Sequence, residues 1–109
     1  MRSGLAVLLL LVAASGPACA ESATPQRTWS EEKCFRYQRD WSEALRRFGR
    51  EGLSPAFVAG NEAFIASGCV RRAKICPHTV RERELVDVLA IRVANESMST
   101  TFLPFDCAD

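Results

Sequence analysis

Four cysteines, Cys34, Cys69, Cys76 and Cys107, stand in a chain of only 109 residues, and no other feature restricts its fold as much. A domain of this size buries about 60–65% of the surface its unfolded chain exposes, which leaves its core marginal. An even number of cysteines in so short a chain reads as two disulfides, provided the compartment is oxidising.

The amino terminus argues for such a compartment. Arg2 precedes an uninterrupted apolar run from Leu5 to Ala14. Gly16 and Pro17 then break it, and Ala18-Cys19-Ala20 has the small-x-small form of a cleavage site. The run is shorter than the roughly 20 residues a membrane-spanning helix needs. A signal peptide over residues 1–20 is therefore expected, with a periplasmic or secreted product. Cys19 would be acylated in a lipoprotein, but Gly16 occupies the place where the bacterial lipobox carries Leu. Residues 21–27 are polar, contain Pro25 and lack periodicity, which predicts a disordered leader. Residues 28–109 then form a single helical domain.

Three helices are predicted in it. Over 28–48, Thr28 and Glu31 have capping-box spacing, and Cys34, Tyr37, Trp41, Ala44, Leu45 and Phe48 recur at three- and four-residue steps. Arg36, Arg39, Asp40, Glu43, Arg46 and Arg47 are assigned to the opposite, solvated face, and Gly49 and Gly52 end the helix. Ser54-Pro55 is a cap followed by the residue favoured at the first helical position, and it opens a short second helix that Gly68 closes. Gly60 inside that helix marks a close approach of two backbones. Thr79 and Glu82 repeat the capping-box spacing before a segment, 85–94, that is apolar almost throughout. Such a helix is expected to be central. Its β-branched residues Val86, Val88, Ile91 and Val93 make a strand the competing assignment.

Helix geometry constrains the cysteines. An antiparallel hairpin of the first two helices brings Cys34 beside Cys69, and Cys76 is expected at that same end. Cys107 lies beyond a third helix that carries the chain roughly 27 Å away. Disulfide Cα atoms must approach within about 7 Å. Cys107 therefore finds a partner only if the tail doubles back, with Phe102, Leu103 and Phe105 lying along the apolar stripe. The favoured pairing is Cys34–Cys69 with Cys76–Cys107, and the nested pairing, Cys34–Cys107 with Cys69–Cys76, is the next alternative. The fold class expected is all-α: a small three-helix domain stapled by disulfides, with an extended C-terminal tail folding back on the bundle.

Little else in the chain is reactive. Fourteen basic and thirteen acidic residues leave no electrostatic footprint for nucleic acid. His78 is the only histidine, and its spacing from Cys69 and Cys76 is not that of a zinc site. It is expected as an exposed turn residue. No nucleophile elbow, phosphate-binding loop, zincin helix or Cys-x-x-Cys pair occurs. The cations at Arg46, Arg47 and Arg50 and at Arg71, Arg72 and Lys74 are expected at opposite ends of the hairpin, where they favour helix C-termini. Trp29 and Trp41 are expected in the core. Asn95-Glu96-Ser97 matches a glycosylation acceptor in a eukaryotic host.

Size, export signal and the layout of helices and cysteines resemble small periplasmic helical proteins of proteobacteria. Examples are acid-stress chaperones of the HdeA type and small cysteine-containing immunity proteins against secreted amidases. Cys34 following Trp29, and the ending Pro104-Phe105-Asp106-Cys107, carry the resemblance. The HdeA pattern has one disulfide where two are expected here, and the stretch from Cys76 to Cys107 is short for the immunity pattern. No functional residue is carried over. The expected function is that of an exported, non-catalytic protein that binds or accompanies another envelope or extracellular protein. A stress chaperone is the alternative and a small enzyme the remote one. Neither a cofactor, a metal nor a catalytic residue is expected.

Overall fold

Each helix begins where a hydroxyl side chain can accept a hydrogen bond from a first-turn N–H. The computed structural model describes Gly4 and residues 26–72 and 74–107. The expected signal peptide, Gly4 aside, and leader residues 21–25 lie outside the described residues. The elements are α1 (Trp29–Phe48), α2 (Pro55–Ala66), α3 (Val80–Asn95) and a 3₁₀ turn, Thr100–Phe102. Thr28, Ser54 and Thr79 cap the three helices, accepting from the amides of Glu31, Phe57 and Glu82. Gly49, at φ 76°, ends α1, and its N–H donates to the Leu45 carbonyl.

The helices are antiparallel in sequence order α1, α2, and again in α1, α3. Arg36 Nη1 donates to the Glu96 carbonyl at 3.0 Å, and Arg81 Nη2 to the Phe48 carbonyl at 3.0 Å. The end of α3 therefore lies against the start of α1, and its start lies at the α1–α2 turn. The core between them holds Tyr37, Trp41 and Ala44 of α1, Phe57 and Phe64 of α2, and Leu85, Leu89 and Val93 of α3. Burying each large apolar side chain here contributes about 1.5–3 kcal/mol. All-α architecture is thus established for the described residues, and two disulfides, Cys34–Cys69 and Cys76–Cys107, staple it.

The segment after Cys69 corrects one expectation. Cys76 does not open α3 at the end of the bundle that holds Cys34 and Cys69. Thr79 Oγ1 donates to the Gly52 carbonyl at 2.7 Å, so the chain has crossed to the opposite end before α3 begins. The crossing is feasible because α2, with twelve residues, rises only about 18 Å, and ten extended residues reach about 33 Å. Halfway along, Ile75 packs on α2 at Gly60, where a Cβ would come within 2.8 Å of Ile75 Cγ1. Gly60 does mark a close approach, but to a side chain rather than to a second backbone.

The tail doubles back as the reach of Cys107 requires. After the 3₁₀ turn it runs alongside the crossing segment: Ile75 N–H donates to the Pro104 carbonyl at 3.0 Å and Asp106 N–H to the Ile75 carbonyl at 2.9 Å. This parallel bridge of Ile75 with Phe105 sets Cys76 beside Cys107, with Cα atoms 4.6 Å apart. Phe105 stacks on Phe57, and Phe102 meets both Tyr37 and Phe64 edge-on.

Two further expectations fail. Helix α3 is not central: Val80 and Ile91 are exposed, the latter by 62%. With only two other helices to pack on, α3 buries a single stripe, Glu82, Leu85, Leu89 and Val93, flanked by the half-buried Val86 and Ala90, while Val80 and Ile91 face outward. Trp29 is 51% exposed rather than in the core, because it sits in the first turn of α1, ahead of the part that the other helices cover. Trp41 is buried as expected.

Candidate functional site

Polar chemistry concentrates where α1 meets the end of α3. Asp40, expected on the solvated face of α1, is wholly buried. It lies on the apolar stripe itself, three residues after Tyr37 and four before Ala44. Neither of its carboxylate oxygens has a hydrogen-bond donor among the described residues, and Glu96 Oε2 is buried in the same state. Arg39 Nη2 and Arg92 Nη1 each stand 3.7 Å from Asp40 Oδ1. Both are better engaged elsewhere, Arg39 with Glu96 Oε1 at 2.7 Å and Arg92 with both oxygens of Glu43 at 3.0 and 3.1 Å.

Burial first, and then the facing Glu96 carboxyl, push the Asp40 carboxyl up to about 6, against the pull of Arg39 and Arg92. Protonated, Asp40 donates to the Glu96 carboxyl, and one proton satisfies a pair that two negative charges would force apart. Glu43, bound by Arg92, is held below the usual carboxylate range. The pair has the composition of an acid–base dyad, but Asp40 has no solvent access and so cannot touch a substrate in this conformation.

A second buried carboxylate ties the opposite end together. Glu82 accepts from the amides of His78 at 3.1 Å and Ser54 at 3.2 Å, and the Thr79 hydroxyl, whose proton is shared with the closer Gly52 carbonyl, stands 3.2 Å away. Burial acts to raise its carboxyl, but those donors more than offset it and hold it below the usual range. The capping-box spacing located Glu82. It did not reveal that this carboxylate also fastens the α1–α2 turn to α3. His78 itself is exposed, Cys69 lies at the other end of the bundle, and Cys69 and Cys76 are each joined to another cysteine. Among the described residues, no three His, Cys, Asp or Glu side chains are placed to hold a metal ion.

One accessible feature is a furrow beside the Cys34–Cys69 bridge; another open cavity, about 390 Å³, lies between α1 and α2 at Gln38, Leu45 and Glu62. In the furrow, two open cavities, about 430 and 330 Å³, meet at Arg72 and Thr101. The larger runs between the start of α1 and the 97–102 segment, floored by Phe64, Met98 and Phe102. Trp29 and Val70, two of the most exposed large apolar side chains, line it. The smaller continues along the returning tail past Leu103 and Pro104. Arg36 connects furrow and carboxyl pair: its guanidinium stands 5.4 Å from the centre of the Trp29 ring while donating to the Glu96 carbonyl.

The two groups of cations lie at opposite ends of the α1–α2 hairpin. Arg46 and Arg47 are in the last turn of α1, whereas Arg71 and Arg72 follow α2. Asn95 ends α3 in an exposed position. No described helix is long and apolar enough to cross a membrane. The two disulfides are consistent with an oxidising compartment. Compared with known proteins, the chain matches no family model, no curated protein and no solved structure.

Proposed function

We propose that this is an exported protein that acts without catalysis, by binding another exported protein through the furrow beside Cys34–Cys69. The observation that carries the reading is the pairing of two exposed apolar side chains, Trp29 and Val70, over one concave surface. Tryptophan is among the residues that dominate protein interfaces, and here it lies half exposed at the edge of a groove. The signal-like amino terminus and the two disulfides support export.

The buried state of Asp40 speaks against the enzymatic alternative. The test is affinity capture from the host's envelope extract with the oxidised chain as bait, beside a Trp29→Ala/Val70→Ser bait. The reading expects one stoichiometric partner on the native bait and its loss from the variant. A partner held equally by both, or none on the native bait, refutes it.

A further inference from the structure

We propose that the furrow receives an extended acidic segment of the partner, one in which carboxylates alternate with apolar side chains. This rests on the partner-binding reading and specifies its chemistry.

Three cations mark the furrow's length: Lys33 at one end, Arg72 where the two cavities meet, and Lys74 along the second. None of the three is ion-paired with a described carboxylate. By contrast Arg27, Arg36, Arg39, Arg50, Arg81 and Arg92 all are. Arg46, Arg47, Arg71 and Arg83 likewise make no ion pair with a described carboxylate, but none of them lines these cavities. Among described residues, no carboxylate lines the first cavity, and Asp106 is the one that lines the second.

The cations are also held in place. Arg72 Nη2 donates to the Thr101 carbonyl at 2.9 Å, which fixes the guanidinium across the furrow, and that bond engages only part of its five-donor fork. Lys33 Nζ rests 5.2 Å from the centre of the Phe102 ring. Apolar surface lies between the charges, Trp29 and Val70 on one side of Arg72 and Leu103 and Pro104 on the other. A bound segment gains affinity from the apolar contacts, and it gains register and on-rate from carboxylates placed opposite the cations. The two cavities share only Arg72 and Thr101, so a segment that meets all three cations passes from one cavity to the other and is extended.

The experiment titrates the oxidised full domain with three fluorescein-labelled octapeptides: alternating Asp and Phe, alternating Lys and Phe, and alternating Asp and Ser. Phosphatidylglycerol vesicles are run beside them. The Asp-Phe peptide is expected to bind at least about tenfold more tightly than either control peptide. Lys33→Glu/Arg72→Glu should weaken it by a further factor of about ten. Arg46→Glu/Arg47→Glu, the same charge change at the opposite end of α1, should leave it unchanged. Lys33→Gln/Arg72→Gln, with unaltered thermal melting, should show the same loss at smaller size. Equal binding of the Lys-Phe peptide, indifference to the furrow substitutions, or vesicle binding in place of peptide binding overturns the proposal. If these fail while the native bait still captures a partner that Trp29→Ala/Val70→Ser loses, the acidic-segment inference falls alone. If capture is also insensitive to that variant, the binding reading falls with it.

Discussion

Replacing Asp40 by Asn should stabilise the protein at neutral pH, an unusual outcome for a buried position. The Asp40 carboxyl is raised from an ordinary 3.8 to about 6 in the folded chain, so between those values the folded state binds a proton that the unfolded state has released. Stability must therefore fall as pH rises through that window and stay reduced above it. A shift of about two units corresponds to about 3 kcal/mol, a large share of the net stability of a small domain. Asparagine keeps the side chain's shape, and its amide can donate to the Glu96 carboxyl without any proton. Neither Arg39 nor Arg92 is stranded, since each retains a closer carboxylate, Glu96 and Glu43. Urea unfolding followed by far-ultraviolet circular dichroism, with the disulfides intact, measures the effect from pH 4.5 to 8. The native chain should lose stability over this range, and Asp40→Asn should be flat and more stable by about 1–3 kcal/mol at pH 7.5. A native chain whose stability does not change between pH 4.5 and 7.5, with a variant less stable than it, would refute the reasoning.

Other perturbations test separate parts of the fold. Glu82 is held below the ordinary carboxylate range, so its contribution is present at neutral pH and is lost as pH falls through its folded value; stability should therefore peak in mild acid and decline below about pH 4.5. Glu82→Gln should lower neutral stability by about 2 kcal/mol and weaken that acidic decline, because the His78 and Ser54 amides donate to different carboxylate oxygens and an amide offers only one acceptor oxygen. Gly60→Ala forces a Cβ against Ile75 and should cost about 1–3 kcal/mol, and most of that cost should vanish in an Ile75→Ala background. Cys34 and Cys69 are 35 residues apart and Cys76 and Cys107 are 31 apart, so each bridge should contribute roughly 3–4 kcal/mol in the chain-entropy account. Reduction should accordingly unfold the domain, and an unchanged melting temperature in reductant would contradict this.

The parts of this fold that were legible in the sequence are those fixed locally or by reach. Thr28, Ser54 and Thr79 announce three helix starts because a cap needs only its own next three residues. The return of the tail followed from Cys107 alone, since no partner was otherwise within range. Asp40 was misplaced because its charge grouped it with Arg36 and Arg39, although its position between Tyr37, Trp41 and Ala44 puts it on the buried stripe. Its burial depends on α3 covering that stripe, which no window within α1 records. Asn61, between Phe57 and Phe64 and bonded to the Tyr37 hydroxyl at 2.6 Å, is a second polar residue hidden in the same way. The crossing of 70–79 was missed because a ten-residue connection is long enough either to turn back at once or to run the length of α2. The furrow arises from that crossing and could not be read before it.

The most direct test of the account is mass spectrometry of the protein recovered from its host without reduction. Intact mass should correspond to a chain starting at Glu21 with two disulfides and no lipid. Proteolysis should yield Cys34 linked to Cys69 and Cys76 linked to Cys107. Peptides joining Cys34 to Cys107 or Cys69 to Cys76, or four free thiols on a chain that still begins at Met1, would contradict it.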